Sequence, residues 1–154
     1  MLNLAHDATF YFKIKIELFL NFLFAQKISV EMQTVNLAIV GSRIYGAQYY
    51  TLFKCLVDRF IENHYGNKII VIVTGDEPAG IDSLAAQYAK EKNYECIVLK
   101  ARWDLYGKAA GPRRNVHIVN LSDEMLAFPS KSSIGTKDSI KKMQGINRPV
   151  FVYS

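Results

Sequence analysis

Short apolar runs alternate with amphipathic segments along most of the chain, beginning near residue 35. The apolar runs cover residues 35–40, 69–73, 96–99, 124–128 and 149–153. Between them, apolar residues recur at helical spacing in segments 49 to about 65, 81–92, 112–121 and 136–144. Runs this continuously apolar are typical of strands buried on both faces of a sheet, so the pattern predicts five strands separated by helices.

This alternation predicts an α/β fold, a Rossmann-like three-layer sandwich around a five-stranded parallel sheet. In such sheets, ligands bind beyond the carboxyl ends of the strands. The four loops of unusual composition each follow a predicted strand, at residues 41–43, 74–80, 100–111 and 129–135. We therefore expect these loops to form one composite pocket at that end of the sheet.

Residues 1–31 break the alternation and are predicted to be an appendage to a domain that spans residues 32–154. Charges at Lys13, Lys15 and Glu17 argue against a transmembrane helix, and the stretch lacks the basic start and cleavage motif of a signal peptide. The favoured hypothesis is that the functional domain starts at Met32, with the upstream part an appendage or an over-extended reading frame. Residues 12–18 alternate like a half-buried strand, but residues 18–24 fit a helix equally well, so the local structure stays open.

Positive charge is concentrated beside one of the predicted loops. The 154-residue chain has a formal net charge of +5, residues 1–31 are neutral overall, and residues 100–114 carry five cationic side chains against Asp104. Such a patch suits a phosphate-bearing ligand. The two cysteines and three histidines show no metal-ligand or disulfide spacing, so we expect no metal site, reduced thiols and a cytoplasmic location.

The segment RWDLYGKAAGPRRN, residues 102–115, has the composition of a loop that leads into a helix. Gly107 and Gly111 disfavour a regular element, whereas Pro112 suits the first position of a helix. Arg113 and Arg114 would then lie in the first turn, where free amides and the helix dipole favour an anion and guanidinium groups match phosphate or carboxylate. We expect this segment to be the centre of an anion-binding site.

Three other loops carry groups suited to phosphate contact. Gly-Ser-Arg at residues 41–43 lacks the GxSxG frame of a nucleophile elbow, so phosphate contact is favoured over nucleophilic catalysis. Residues 74–80 would let backbone amides approach a phosphate, although they match no standard glycine-rich motif. The loop that contains the small residues Ser130, Ser132, Ser133, Gly135 and Thr136 offers either a second anion-binding helix start or an ordinary helix cap.

Four further side chains have both a functional and a structural interpretation. Asp82 and Asp138 each lie in the first turn of a predicted helix, where a carboxylate either stabilises the helix dipole or contacts a ligand. Trp103 and Tyr106 either stack on a base or close the core beneath their loop. Both interpretations stay open for each pair.

With these motifs in view, the chain resembles the YspA-like (YpsA-related) family of the SLOG superfamily, which is common in bacteria and phages. Residues 103–115, WDLYGKAAGPRRN, resemble the family signature W-x-x-[YH]-G-K-x-A-G-x-x-R-N. Supporting matches are GSR at 41–43, GID followed by SLA at 80–85, and AFP with S-x-GT at 127–136. The resemblance implies a nucleotide-binding fold with strand order 3-2-1-4-5.

The same superfamily contains the Lonely Guy enzymes, which hydrolyse the N-glycosidic bond of nucleoside monophosphates with an arginine and a glutamate. The resemblance implies that Arg113 or Arg114 corresponds to that arginine. Asp138 falls one position before the expected glutamate, and Asp104 is a second candidate carboxylate. Residues 74–78 depart from the family's glycine pair and add two carboxylates, which should weaken phosphate binding or require a divalent cation.

These inferences define the candidate functional residues. Asp138 and Asp104 are the candidate catalytic carboxylates. The predicted ligand-binding residues are Gly41, Ser42, Arg43, Thr74, Gly75, Gly80, Asp82, Trp103, Tyr106, Lys108, Gly111, Arg113, Arg114, Asn115, Ser133, Gly135 and Thr136.

The favoured function is binding or sensing of a nucleotide or nucleotide-derived small molecule. The alternatives are hydrolysis of nucleoside monophosphates at the N-glycosidic bond and binding of single-stranded nucleic acid. We expect no membrane partner, and a divalent cation only together with a phosphorylated ligand. The sequence leaves self-association open.

Overall fold

The computed structural model describes residues 4–31 and 33–153 of the chain, with side chains described for residues 11–24 and 33–153. The chain divides into two compact units, residues 1–33 and 34–154.

The N-terminal unit contains one long helix, α1 (Leu4–Glu31, 28 residues). The alternation in residues 12–18 therefore does not produce a strand; a helix satisfies its own backbone hydrogen bonds, whereas a strand needs a neighbour. All side chains described on α1, at residues 11–24, are exposed. No helix in the described part of the chain is long and apolar enough to cross a membrane.

The second unit is a five-stranded, wholly parallel sheet of order β3-β2-β1-β4-β5, which confirms the predicted fold class and strand order. The strands are β1 (Thr34–Gly41), β2 (Ile69–Gly75), β3 (Glu95–Leu99), β4 (Glu124–Phe128) and β5 (Val150–Val152). The helices are α2 (Tyr50–Tyr65), α3 (Ile81–Lys92), α4 (Trp103–Tyr106), α5 (Ala110–Leu121) and α6 (Ile134–Gly145). Short 3-10 turns at Ala47–Tyr49 and Gly107–Ala109 precede α2 and α5.

The core lies on both faces of the sheet. Leu37 and Ile39 of β1 are buried with the apolar residues of α2 and α3. Ala38 and Val40, which point to the opposite face, are buried with Ile118 of α5 and with α6. Burial on both faces explains why β1 is a continuous apolar run rather than an alternating one.

The strand ends lie level with one another, which brings the loops together. Gly41 at the end of β1 pairs with Phe128 at the end of β4, and Gly75 at the end of β2 pairs with Leu99 at the end of β3. The loops after these four strands therefore leave the sheet at the same edge, as the alternating pattern predicts.

Several element boundaries differ from the predicted ones. Residues 103–106 form a helical turn, and α5 begins at Ala110, so Pro112 is its third residue rather than its first. The amides of a first turn have no partner within the helix, so Gly111 and Pro112 can be accommodated there. Strand β5 is shorter than the predicted 149–153.

Candidate functional site

A cleft of about 410 Å³ opens at the carboxyl edge of the sheet. It is bordered by the loops after β1 and β2, the first turn of α3, the second turn of α5 and the start of α6. Nine of the predicted ligand-binding residues line it: Gly41, Ser42, Arg43, Asp82, Arg114, Asn115, Ser133, Gly135 and Thr136.

Arg114 is the most buried cation of this cleft, with a side chain that is 17% exposed. Its Nη1 atom donates to Asp76 Oδ1 at 2.8 Å and lies 3.7 Å from Asp82 Oδ2. Its Nε atom is buried and has no hydrogen-bond partner in the described part of the chain. An unsatisfied buried donor costs about 1–3 kcal/mol. Arg114 therefore lines the cleft and also holds a buried donor without a partner in the described part of the chain.

Gly75 makes room for this ion pair. A Cβ atom at position 75 would overlap the carboxylate of Asp82 and would lie 2.6 Å from Arg114 Nη1. The sequence predicted that Gly75 would expose its backbone to phosphate; its structural effect is to let Asp82 and Arg114 approach each other. Gly80, with φ of +82°, packs against the backbone of Ser42 and Arg43 and holds α3 close to the loop after β1.

Asp82 is the buried acid of the cleft, since only 8% of its side chain is exposed. Burial raises the pKa of its carboxyl to about 6, although Arg114 and the backbone N–H of Glu77 act in the opposite direction. Its protonation state therefore changes near neutral pH.

The start of α6 forms the opposite part of the cleft. Ser133 occupies the N-cap position, but its hydroxyl accepts a hydrogen bond from Ser130 N at 2.8 Å and donates to Ser130 O at 3.0 Å. No side chain in the described part of the chain caps α6. Gly135 and Thr136, in its first turn, line the cleft, where the helix dipole and free amides favour a negative group.

Asn115 connects the starts of α5 and α6. Its buried side-chain amide donates to Gly135 O at 3.2 Å and to Asp138 Oδ2 at 3.1 Å. These contacts hold the first turn of α6 near Arg114, which is the preceding residue on α5.

The loop after β1 contributes one buried hydroxyl and one cation at the rim. Ser42 Oγ lies 2.9 Å from Ser130 Oγ, which ties the loops after β1 and β4 together. Arg43 is exposed, and its Nε lies 2.6 Å from Glu77 Oε2. Its charge is thus partly offset by a carboxylate on the neighbouring loop.

Arg113 lies outside the cleft lining, unlike its neighbour Arg114. Its guanidinium carbon lies 4.4 Å from the centre of the Tyr106 ring. Successive helical residues point about 100° apart, so the prediction that both arginines converge on one ligand is wrong for Arg113.

Trp103 and Tyr106 are 54% and 43% exposed and do not close the core. Lys108 is also exposed, and Gly111 lies against the Trp103 ring.

Thr74 is not available to a ligand. It is fully buried, and its hydroxyl donates to Ile39 O at 2.8 Å, between two strands of the sheet. The prediction that Thr74 contacts phosphate is therefore wrong.

Neither predicted catalytic carboxylate lines the cleft. Asp138 accepts hydrogen bonds from Asn115 and Lys142. Partial burial raises the pKa of Asp138, but these two donors outweigh it and leave the pKa below its usual value. Asp104 lies on the surface, where Arg102 Nη2 donates to it at 3.0 Å.

Sequence reasoning missed six residues of the cleft lining. They are Val40, Ile44, Glu77, Ile118, Ile134 and Ser139. Glu77 had a detectable signal, because it is one of the two carboxylates added after β2. The apolar residues of this group lie close in sequence to predicted site residues. Whether their side chains face the cleft depends on the packing of α5 and α6, which the sequence does not show. The described residues contain no cluster of three or more side chains that could hold a metal ion.

Comparison with known proteins shows to which family the chain belongs. A model of the "YspA, cpYpsA-related SLOG family" matches residues 36–106. The Gene 61 protein of Mycobacterium phage D29 is 31% identical over 118 residues, which cover 73% of this chain and 90% of the phage protein. The chain belongs to this SLOG family.

Two solved structures share the fold of this SLOG protein. DNA processing protein A (DprA) of Streptococcus pneumoniae matches with a TM-score of 0.59 and 21% identity, over 77% of this chain and 50% of that one. DprA of Helicobacter pylori, whose structure is reported with its single-stranded DNA binding mode, matches with a TM-score of 0.56 and 21% identity, over 77% and 64%. The SLOG chain thus spans about half to two thirds of these proteins.

Proposed function

We propose that this SLOG protein binds or senses a nucleotide or nucleotide-derived ligand, whose phosphate enters the cleft beside Arg114. The observation that carries the proposal is the buried Nε donor of Arg114, which lacks a partner in the described part of the chain while the residue lines the cleft. A phosphate oxygen would satisfy this donor once the guanidinium shifts towards the cleft, because Nε is buried in the free protein. Guanidinium groups also suit phosphate geometrically.

Two further features support a phosphorylated ligand of small size. The first turn of α6 offers uncapped amides to the same cleft. The volume of about 410 Å³ falls within the range of about 300–1,000 Å³ that is usual for small-molecule sites. Membership of the SLOG family agrees with this ligand class.

Binding is favoured over hydrolysis because of where the two predicted catalytic carboxylates lie. Asp138 is held by Asn115 and Lys142, and Asp104 is paired with Arg102 on the surface. Neither borders the cleft, so neither is positioned to act on a ligand bound there.

Titration of the full chain with a panel of nucleoside monophosphates, with free base assayed by chromatography, tests both ideas. Saturable binding without base release is the expected result. Base release that survives Asp138→Asn but requires the cleft would replace the binding role with a hydrolase whose acid is another residue. No binding of any member of the panel would contradict the proposal.

A second candidate function rests on the surface formed by Trp103, Tyr106 and Arg113. Exposed rings beside cations are the usual platform for single-stranded nucleic acid, and this surface lies outside the cleft. The DprA likeness adds a reason to test it. Quenching of Trp103, the only tryptophan, by oligodeoxythymidine would measure binding, and a steep loss with added salt would support this role. Quenching that does not change with salt would contradict it.

A further inference from the structure

Charge is unevenly balanced around Arg114. Its single guanidinium lies within 2.8 Å of Asp76 and 3.7 Å of Asp82. The nearby carboxylate of Glu77 pairs with Arg43, so these two charges offset each other and leave the charge balance at Arg114 unchanged. A phosphate that binds Arg114 would therefore add negative charge to a cluster that already holds two carboxylates and one cation. Such a cluster needs a proton or a metal ion to accept the anion.

Asp82 is better suited than Asp76 to take up a proton. Its side chain is 8% exposed, against 28% for Asp76, so its charge is less well solvated. Asp76 lies nearer to Arg114, and both of its oxygens lie 3.3 Å from the Ala101 amide. Burial raises the pKa of Asp82 to about 6, so protonation near neutral pH requires little free energy.

We propose that Asp82 binds the anionic group of the ligand as a neutral carboxylic acid, taking up one proton and donating a hydrogen bond to the anion. This inference rests on the proposed function of the cleft. Asp82 lines the cleft at the first turn of α3, so its carboxyl group borders the space in which the anion would lie. A buried acid kept neutral to donate a hydrogen bond is a known device of anion-binding sites.

The groups that face Asp82 determine the direction of the pH effect. Arg114 approaches it from α5, and Asp76 and Glu77 from the loop after β2, with Arg43 bound to Glu77 on the far side. Of the neighbours, Arg114 favours the ionised form, whereas the two carboxylates favour the protonated form. An entering anion acts in the same direction as the carboxylates. Affinity for the anion should therefore increase as the pH falls towards 6.

Sulfate is a suitable test ligand because, unlike phosphate, it does not titrate between pH 5 and 8. Calorimetry on the full chain at pH 5.5, 6.5 and 7.5 should show affinity falling about tenfold between pH 6.5 and 7.5. Repeating the pH 7.5 titration in buffers of different ionisation enthalpy should show uptake of close to one proton per sulfate.

The variant Asp82→Asn is neutral at every pH and keeps a donor in place. It should bind sulfate at pH 7.5 about as tightly as the original protein does at pH 5.5, with little pH dependence. Glu62→Gln, which removes an exposed carboxylate of α2 outside the cleft lining, is the matched control and should keep the pH dependence.

Several results would overturn the inference. These are pH-independent binding by the original protein, loss of binding in Asp82→Asn while its thermal unfolding is unchanged, or a requirement for Mg²⁺ in place of a proton. Failure of the proposed function looks different, because neither sulfate nor any nucleotide would then bind at any pH.

Discussion

Arg114 Nη1 donates to Asp76 Oδ1 at 2.8 Å, which joins the second turn of α5 to the loop after β2. This contact fixes the orientation of the guanidinium and leaves its Nε without a partner in the described part of the chain. The candidate ligand site is thus built around a cation whose charge is already largely matched. We therefore expect anion binding in the cleft to depend on the placement of the Arg114 donors and on the protonation of Asp82 rather than on net positive charge.

Gly75→Ala tests whether the missing side chain at position 75 is required. The added Cβ would overlap the Asp82 carboxylate and lie 2.6 Å from Arg114 Nη1. We expect a loss of about 1–3 kcal/mol in the free energy of unfolding, measured by urea denaturation. Gly145→Ala is the control, because a Cβ there would meet no atom within 4 Å in the described part of the chain beyond its neighbours and the backbone of its own helix. Equal effects of the two substitutions would show that Gly75 is not constrained.

Asp82→Asn should change the pH dependence of stability. Burial raises the pKa of Asp82 from 3.8 to about 6, so the folded protein holds this proton at a pH where the unfolded chain has lost it. The stability contributed by Asp82 is therefore complete below pH 3.8 and is lost as the pH rises through 6. Relative to the original protein, the variant should gain up to about 3 kcal/mol between pH 3.5 and pH 7.5.

Urea unfolding at these two pH values measures this gain. Glu62→Gln, which removes an exposed carboxylate of α2, provides the comparison. If Asp82→Asn and Glu62→Gln respond to pH in the same way, Asp82 is not the buried acid described above.

Asn115→Ala should weaken the link between α5 and α6. The buried amide of Asn115 bonds both Gly135 O and Asp138 Oδ2, and its removal leaves these acceptors without that donor. A loss of about 1–3 kcal/mol in unfolding free energy is expected. Asn120→Ala, at an exposed position of the same helix, should change stability by less than about 0.5 kcal/mol. A neutral Asn115→Ala would refute the linking role.

The fold could be predicted from the sequence because the strands buried on both faces are continuous apolar runs. The continuous apolar run from Val35 to Val40 requires that both faces of the sheet be covered, and a core of apolar side chains lies on each face. The strand order, in contrast, was implied by the resemblance to the SLOG family. At the N-terminus the sequence left a strand over residues 12–18 and a helix over residues 18–24 both open, and only the structure shows that both stretches belong to one helix.

The site was less predictable, because it depends on which side chains of α5 face the cleft, and this is set by the rotation of the helix about its axis. Arg113 and Arg114 are chemically identical and adjacent, so composition could not show which one enters the cleft. The start of α5 at Ala110 directs Arg114 inward and leaves Arg113 over the Tyr106 ring. Thr74 follows the apolar run and so was predicted to lie in a loop. In the structure β2 extends to Gly75, which places Thr74 within the strand.

This pair of arginines provides the most direct test of the ligand site. Arg114→Lys keeps the positive charge but removes the Nε donor and the forked geometry, whereas Arg113→Lys makes the same change outside the cleft. Calorimetric titration of both variants and the original protein with the nucleoside monophosphate that binds best would compare them. We predict that Arg114→Lys weakens binding at least tenfold and that Arg113→Lys leaves it within about twofold. Equal losses in the two variants, or a loss in Arg113→Lys alone, would contradict the assignment of the phosphate to the cleft beside Arg114.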